Sequence, residues 1–324
     1  MSKIDVAIPA TKFPAEAIIN EVCKVIRGKR EFLELLTAGI LAGGHVLLED
    51  NPGLGKTTVA KTFARLIADA EGKPILFKRI QFTPDLLPYD ITGVDIFDPE
   101  TRSFRFVPGP VLANIVLADE INRTTPKVQS ALLEVMAERQ VTIGSVTHKP
   151  PEPFFVIATE NPIESDGTFP LPAAQLDRFM MRLSLGYPDR ESELSILEDN
   201  PAGEALNSLV PVLSAEEFLA ARSAVAAVFC HQSLKEAIAD TVRDTRINRS
   251  FVLGASPRSA LHFLEASRAL ALVRGRDYVI DEDIMVLAAP VLTHRVRFRD
   301  PRANGDKIIR EICLARLNRI KSGI

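Results

Sequence analysis

The sequence contains no tryptophan and only three cysteines, Cys23, Cys230 and Cys313, which lie far apart along the chain. An odd number of widely spaced cysteines excludes a disulfide scaffold and indicates small buried side chains in a reducing compartment, so we expect a cytoplasmic protein. The five histidines have no ligand-like spacing, and neither a CxxC nor an HExxH pattern occurs. A transition metal held by protein ligands is therefore not expected.

Long uncharged apolar stretches are also absent, because none reaches the roughly 18 residues that a membrane span requires. The first residues, MSKID, carry charge before any apolar run begins, so neither a membrane span nor an export signal is expected. No excess of one charge exists either, since 39 Lys and Arg against 42 Asp and Glu give a formal net charge of -3. That balance provides no general electrostatic reason to expect nucleic acid as a ligand.

The composition is that of a globular protein, with 46% apolar and 25% charged residues in a chain of 324, which leaves room for two domains. Residues 20–187 alternate short apolar runs with longer amphipathic ones, the pattern of an α/β fold. After residue 188 the apolar residues recur at helical spacing. We therefore predict an α/β domain over residues 1–187 and a smaller all-α domain over residues 188–324.

The α/β half contains five candidate strands, at residues 45–49, 75–81, 115–119, 153–159 and 180–185. Near-continuous apolar runs are typical of strands covered on both faces, so the pattern predicts a five-stranded parallel sheet. Helices are predicted over residues 56–70 and 124–139. Residues 93–107 and 140–148 each hold two short runs around a turn signal and predict two β-hairpins inserted outside the sheet.

Residues 50–57, DNPGLGKT, follow the first candidate strand and open a helix. Gly53 and Gly55 allow backbone N–H groups to turn toward phosphate oxygens, and the positive end of the following helix points the same way. Lys56 would reach the β- and γ-phosphates, and Thr57 would hold Mg²⁺ through its hydroxyl. A glycine-rich turn with an exposed lysine is the other interpretation, and the first position of the usual GxxxxGK[ST] loop is aspartate here.

Two adjacent acids, Asp119 and Glu120, end the apolar strand at residues 115–119. Carboxylates at the end of a buried strand are costly unless water or a cation compensates them. A metal-bound nucleotide would explain both, with Asp119 in the Mg²⁺ shell and Glu120 polarising the attacking water. The alternative is a strand end that faces solvent.

Two further polar residues follow later strands. Asn161, after the strand at residues 153–159, could hydrogen-bond the γ-phosphate and the nucleophilic water, or could be a simple turn former. Arg178 stands just before the last candidate strand, where its alternative is a surface ion pair with Asp177 that would contribute little.

Together these segments resemble the MoxR family of AAA+ ATPases, from about residue 19 to residue 284. The resemblance rests on the strings LLEDNPGLGKT, LADEINRTTPKVQSALLEVMAERQVTI, ATENPIESDGTFPLPAAQLDRF, GYPDRESEL and GASPRSALHFLEASRALALVRGRDYV, which correspond in order to family motifs. It implies an AAA+ P-loop NTPase domain followed by a helical lid, and the hydrolysis of ATP with Mg²⁺.

The resemblance also implies roles for individual residues. These are Walker A for Lys56 and Thr57, Walker B for Asp119 and Glu120, sensor 1 for Asn161, the arginine finger for Arg178 and sensor 2 for Arg258. The implied nucleotide-binding set is Asn51, Pro52, Gly53, Leu54, Gly55, Lys56, Thr57 and Thr58, with Ile26 and Gly28 from a segment similar to the family's adenine side. Glu160 stands where glutamine is usual in the family.

An arginine finger from a neighbour has a physical consequence, because a lone subunit lacks the cation that stabilises the transition state. Activity should then need a closed ring of head-to-tail contacts, and the resemblance implies six subunits. It further implies remodelling or maturation of client proteins, including cofactor or metal insertion, with a von Willebrand factor A domain partner. The two hairpins would line the pore or face the client.

Two other functions stay open. Arg295, Arg297, Arg299 and Arg302 form a basic cluster that could contact phosphates in a nucleic-acid-remodelling ATPase. The negative net charge favours a place at a helix end or on the lid surface instead, so nucleic acid is not expected as a partner. The second alternative is a nucleotide-gated scaffold that assembles with little turnover.

Overall fold

The protein's structure, a computed structural model, describes residues 13–162, 167–199 and 203–322. The start of the first predicted domain, residues 1–12, and the end of the second, residues 323–324, lie outside these ranges. Residues 163–166, which belong to the family-like segment after Asn161, lie outside them too.

Helices and short turns make up most of the described chain. The α-helices are α1 (Ala15–Val25), α2 (Arg30–Leu41), α3 (Lys56–Leu66), α4 (Pro88–Thr92), α5 (Pro126–Glu138), α6 (Ala173–Leu176), α7 (Arg190–Asp199), α8 (Glu204–Ser208), α9 (Ala215–Ala224), α10 (Gln232–Ile247), α11 (Pro257–Val273), α12 (Asp281–Leu292) and α13 (Gly305–Ser322). Turns of 3₁₀-helix lie at Ile121–Arg123, Val225–Ala227 and Thr293–Arg295. Across the described ranges no helix is both long and apolar enough to cross a bilayer.

Most strands lie in the first half of the chain. They are β1 (Val46–Glu49), β2 (Ile67–Ala68), β3 (Phe77–Gln81), β4 (Gly93–Asp98), β5 (Ser103–Pro108), β6 (Ile115–Asp119), β7 (Val141–Ile143), β8 (Val146–His148), β9 (Phe155–Glu160), β10 (Met181–Leu183), β11 (Leu213–Ser214), β12 (Phe251–Leu253) and β13 (Arg297–Phe298).

The central sheet has five parallel strands in the order β10-β1-β9-β6-β3, which confirms the predicted count and direction. Every residue of β6 is buried, as expected for a strand covered on both faces. Alternate side chains face two cores: Leu117 packs with α1, α2 and α3, whereas Val116 packs with α5. Because all five strands run the same way, their carboxyl ends meet at one edge of the sheet.

The predicted hairpins are confirmed as two-stranded units outside the central sheet. In the first, β4 pairs with β5 from Gly93 opposite Pro108 to Asp98 opposite Ser103, and in the second β7 pairs with β8. The hairpins touch each other, since the Phe106 ring stacks on the His148 ring with centroids 3.8 Å apart.

Several predicted boundaries differ from the structure by two to four residues, and two of the differences have a visible cause. The helix predicted to run to residue 70 ends at Leu66, because the chain continues into β2, which pairs in parallel with β11 of the second half. The strand predicted from residue 75 begins at Phe77, since the Ile75 N–H instead donates to the Ile67 carbonyl. A local pattern of apolar residues does not reveal these partners, because β11 and Ile67 lie outside the segments that they pair with.

The second half is helical from α7 onward apart from three short strands, and it shares a core with the first half. Helix α11 packs on α2, so that Phe263 and Leu36 belong to one buried cluster. Arg274 at the end of α11 reinforces the contact by donating to Glu34 of α2 at 3.0 Å. Ser256 caps α11, because its hydroxyl accepts from the Ser259 N–H.

Candidate nucleotide site

The phosphate loop connects the carboxyl end of β1 to the amino end of α3. Gly53 and Gly55 have φ values of 84° and 87°, a region that disfavours every residue with a side chain. No atom lies within 4 Å of where a Cβ would sit on either glycine, so backbone conformation and not crowding requires them. The loop is therefore curled and faces open space, as a phosphate-binding loop needs.

Lys56, the first residue of α3, is buried with 8% of its surface exposed. Its ammonium donates to the Asp50 carbonyl at 2.7 Å. Burial lowers the pKa of Lys56, and the nearby carboxylates of Asp50, Asp119 and Glu120 oppose that shift. The other interpretation of the sequence, a glycine-rich turn with an exposed lysine, is thus wrong, because the ammonium is buried near three acids.

Asp50 explains why the loop can begin without glycine. Its carboxylate accepts from the Ser184 hydroxyl at 2.7 Å, the Leu185 N–H at 2.6 Å and the Gly186 N–H at 3.1 Å. These bonds join the start of the loop to the chain that leaves β10. Asp50 is a structural anchor, a role that the motif alone did not indicate.

The two acids after β6 are held by polar groups of neighbouring strands. Asp119 is buried, accepts from the Thr159 hydroxyl at 2.7 Å, and pairs with Arg79 of β3 at 2.7 Å. Its burial contradicts the alternative of a strand end that faces solvent. Thr159 also accepts from the Glu120 N–H at 2.8 Å, so one buried hydroxyl links both acids.

Glu120 adopts a left-handed backbone conformation, with φ of 57°, that turns the chain directly after β6. Its carboxylate accepts from the Gln81 amide at 2.9 Å and lies 3.2 Å from the Arg123 guanidinium. Sequence reasoning missed Gln81 and Arg79. They occupy alternate positions at the carboxyl end of β3, and polar residues at such spacing were the signal that could have found them.

The residues predicted to bind a metal offer oxygen donors of the kind that Mg²⁺ prefers. Thr57 supplies a hydroxyl at the second position of α3, and Asp119 supplies a carboxylate at the end of β6. Mg²⁺ in proteins typically takes one or two such ligands and completes its shell with water and phosphate. The donor set therefore fits Mg²⁺ together with a phosphorylated ligand.

Asn161 follows β9 at the same edge of the sheet and is buried with 4% exposure. Beside it, Glu160 is paired in register with Glu49 of β1. Burial, and after it the Glu49 carboxylate, raise the pKa of Glu160 from 4.5 to about 7, against the opposing effect of Arg182. A carboxyl group that is costly to ionise thus flanks the predicted sensor position.

Arg178 lies at the opposite edge of the sheet. It follows α6 and precedes β10, and the pairing of Met181 with Val46 places it before the amino end of β1. The Met180 N–H donates to the His45 carbonyl, and this bond holds the chain before β10 beside the start of β1. From Val46 to the phosphate loop at Asp50 the strand rises about 13 Å, at roughly 3.3 Å per residue. The structure does not bring Arg178 to the loop of its own chain.

Arg258 accompanies Arg178 at that amino edge. It is the second residue of α11, whose cap Ser256 donates to the Asp177 carboxylate at 3.2 Å. The Ser259 hydroxyl also donates to Asp177, at 3.4 Å. Asp177, the residue directly before Arg178, therefore bonds the start of the lid helix that carries Arg258. This contact replaces the surface ion pair with Arg178 that was the alternative.

The basic cluster predicted at residues 295–302 is not a surface feature as a whole, since Arg295 is 3% exposed. Its guanidinium donates to the Phe179 carbonyl at 2.6 Å and to His262 Nδ1 at 2.5 Å, and lies 3.7 Å from Asp177. Arg295 lies in the turn directly after α12, which agrees with the predicted place at a helix end, but the sequence does not show that this member of the cluster turns inward. Only Arg297, Arg299 and Arg302 are exposed.

The predicted adenine-side residues lie in the turn between α1 and α2. Ile26 is buried in the core formed with α1 and α2. Gly28, with φ of 67°, lines a cavity of about 540 Å³ together with Glu49, Arg182 and Asp306. No residue of the phosphate loop lines this cavity.

Comparison with protein families finds two matches. Residues 45–181 match the model of the ATPase family associated with various cellular activities (AAA), and residues 243–312 match an AAA lid domain. The first match runs from just before β1 to the first residue of β10, and therefore covers the other four strands of the central sheet, both hairpins and the arginine before β10.

Individual relatives align over most of the chain. It is 46% identical to the uncharacterized protein YeaC of Bacillus subtilis, covering 92% of each chain. It is 43% identical to Chaperone MoxR1 of Mycobacterium tuberculosis, over 87% of this chain and 75% of the relative. A crystal structure of a candidate ATPase from Cytophaga hutchinsonii superposes with a TM-score of 0.82 at 39% identity, covering 94% of this chain and 93% of that one.

Proposed function

This chain belongs to the MoxR family of AAA+ ATPases, and from that premise we propose that it hydrolyses ATP at sites completed by a second copy of the chain. One observation carries the proposal: Lys56 and two acids lie at the carboxyl edge of the sheet, whereas Arg178 lies at the amino edge. Head-to-tail packing of two subunits would bring the two edges together, and such packing forms a ring when its rotation closes.

The carboxyl edge would bind the nucleotide. The curled loop from Asn51 to Gly55 would offer backbone N–H groups to the phosphates, and Lys56 would add a positive charge beneath them. Thr57 and Asp119 would hold Mg²⁺, which neutralises charge on the phosphates when it is bound. The Thr159 hydroxyl keeps the Asp119 carboxylate in place for that role.

The same edge would position the attacking water. Glu120 would orient the water and accept its proton, with its carboxylate steadied by Gln81 and Arg123. Asn161, buried one strand away, would hydrogen-bond the water or the γ-phosphate through its amide. Phosphoryl transfer requires mainly such positioning and charge stabilisation from the protein.

The amino edge would complete the site of the neighbouring subunit. Arg178 would stabilise the charge that develops on the transferred phosphoryl group. We place Arg258 in the same neighbouring site, because Ser256 and Asp177 hold the start of α11 beside Arg178 and away from its own loop. Both arginines would then serve ATP bound by another subunit.

Mixing two inactive variants tests this division. Arg178→Ala should bind ATP but turn it over about 10³-fold or more slowly, and Glu120→Gln should bind ATP without hydrolysing it. In mixed rings, sites that combine an intact Glu120 with an intact Arg178 from the next subunit should restore phosphate release to about a quarter of the wild-type rate.

The matched control replaces an exposed arginine far from the proposed site, Arg243→Ala on α10, and should leave turnover unchanged. If mixing restores nothing while both variants still assemble, Arg178 does not act across the subunit interface. If wild-type protein releases no phosphate at any concentration, the chain is a nucleotide-gated scaffold and not an ATPase.

We further propose a ring of six subunits that remodels or matures client proteins, with a von Willebrand factor A domain protein as partner. The first hairpin supports client contact because it exposes apolar side chains, Phe97 at 51% and Phe104 at 72%. Rings of Glu120→Gln held in ATP should retain the client, and identification of the captured proteins tests the assignment. The burial of Arg295 removes one of the cations that favoured nucleic acid as a ligand.

A further inference from the structure

The structure assigns to Arg295 a role that no motif indicates: it is a positioning residue that fixes Arg178 and Arg258 relative to each other. This inference rests on the proposed function, because it concerns the two arginines that would complete the neighbour's site. Arg295 itself lies in the 3₁₀ turn after α12 and has no access to a ligand at 3% exposure.

The acceptors of the buried guanidinium lie on both sides of the junction between the sheet and the helical half. On the sheet side, Nη2 of Arg295 donates to the carbonyl of Phe179, the residue directly after Arg178, at 2.6 Å. On the helical side the same nitrogen donates to Nδ1 of His262 at 2.5 Å. His262 lies one helical turn after Arg258 on α11, so one side chain bonds the neighbour of each proposed catalytic arginine.

Asp177 closes the connection from the other direction. Its carboxylate lies 3.7 Å from the Arg295 guanidinium and accepts from Ser256, the cap of α11. The turn that carries Arg178 and the helix end that carries Arg258 are thus linked twice, once through the cation and once through the anion.

The cost of burying this group indicates that its placement matters. An ionised guanidinium removed from water is unfavourable unless acceptors surround it, and burial lowers the pKa of Arg295 to about 10, with the Asp177 charge opposing the shift. An apolar residue would fill the same space at lower cost. What a guanidinium adds here is a second nitrogen at a fixed angle, since Nη2 donates to Phe179 and His262 while Nε lies 3.7 Å from Asp177.

The test replaces the fork by a point charge. Arg295→Lys keeps one positive charge but has a single nitrogen, so it cannot donate to Phe179 and His262 and at the same time place a second nitrogen beside Asp177, as Nε of Arg295 does. We expect its kcat to fall about 10- to 100-fold, since a displacement near 1 Å of a catalytic group has effects of that size, with the KM for ATP within about twofold. Assembly, measured by analytical ultracentrifugation, should be unchanged.

Subunit mixing distinguishes positioning from a general structural role. In equimolar rings with Glu120→Gln, about one site in four pairs an intact loop of the Arg295→Lys subunit with intact arginines from its neighbour. Phosphate release should therefore rise well above that of either variant alone. Asp177→Asn, which replaces a partly exposed carboxylate by an amide of the same shape, is a second variant with less risk to folding. It should lose less activity than Arg295→Lys, and equimolar mixing with Glu120→Gln should bring its phosphate release to about a quarter of the wild-type rate or slightly more.

Three outcomes would overturn the inference. Wild-type turnover of Arg295→Lys would show that the fork is unnecessary. Loss of assembly, or a loss of activity that mixing does not restore, would show that Arg295 acts on subunit contact or on its own chain's site. Rescue of Arg178→Ala without rescue of Arg295→Lys and Asp177→Asn would leave the proposed ATPase site standing and remove Arg295 from it.

Discussion

The two edges of the central sheet differ in how their functional side chains are held. At the carboxyl edge, the loop backbone is open, and each acid is held directly by side chains around it, Asp119 by Thr159 and Arg79 and Glu120 by Gln81. At the amino edge, Arg178 and Arg258 have no side-chain partner of their own within the described ranges, whereas the residues beside them are fastened by the buried Arg295 and by Asp177.

This contrast matches two different tasks. A binding edge must offer vacant donors to a ligand that arrives with its own charge and metal, so its groups are arranged around a space. An edge that completes another subunit's site must present cations at a defined angle without binding anything itself. Preorganisation at the amino edge would lower the cost of ordering those cations when the subunits meet.

The first prediction tests whether the two edges differ in ATP binding, and it has the largest expected effect on affinity. The measurement uses dilute, unassembled protein. Lys56→Ala should weaken ATP binding about 100-fold, because a charge-assisted contact near 3 kcal/mol is lost. Arg258→Ala should change the affinity by less than about twofold. Arg258 lies at the other edge of the sheet, and salt at 0.1 M screens an exposed charge beyond about 10 Å. Calorimetric titration measures both. A large loss for Arg258→Ala would place that arginine in its own subunit's site.

A smaller effect concerns stability at the carboxyl edge and depends on pH. Burial and Glu49 raise the pKa of Glu160 from 4.5 to about 7 in the folded protein. The folded state therefore holds a proton that the unfolded chain has released between these values, so stability is full below about pH 4.5 and falls as the pH rises through 7.

Glu160→Gln removes this loss and should stabilise the protein by about 1 to 3 kcal/mol more at pH 8 than at pH 5. Thermal or urea unfolding at the two pH values measures the difference. Glu134→Gln, an exposed glutamate on α5, is the control and should show no such dependence. An equal effect of Glu160→Gln at both pH values would mean that the carboxylate is solvated in the folded state.

Sequence reasoning succeeded where a pattern is local and failed where two segments meet. The number and direction of the strands, the curled loop and the acids at the end of a buried strand follow from apolar runs and from short motifs that carry their own chemistry. The contacts of Arg79 with Asp119 and of Arg295 with Phe179 depend on strand register and on helix packing, and no short stretch of a single sequence shows either. The edge to which Arg258 belongs was undetermined for the same reason.

The smallest effect sharpens the comparison by using two serines that cap helices. Ser214 accepts from the Glu217 N–H at 3.1 Å at the start of α9, and Ser256 accepts from the Ser259 N–H at 3.3 Å at the start of α11. Replacing either serine by alanine should cost about 1 kcal/mol of stability, since each satisfies one backbone N–H at the start of its helix.

Only Ser256 also donates to Asp177, so Ser256→Ala alone should lower turnover in the ring, by several-fold. Unfolding curves and phosphate release, measured on the two variants side by side, separate the cap from the junction. Equal turnover in both would mean that the amino edge is held in place without the bond between α11 and the turn before β10.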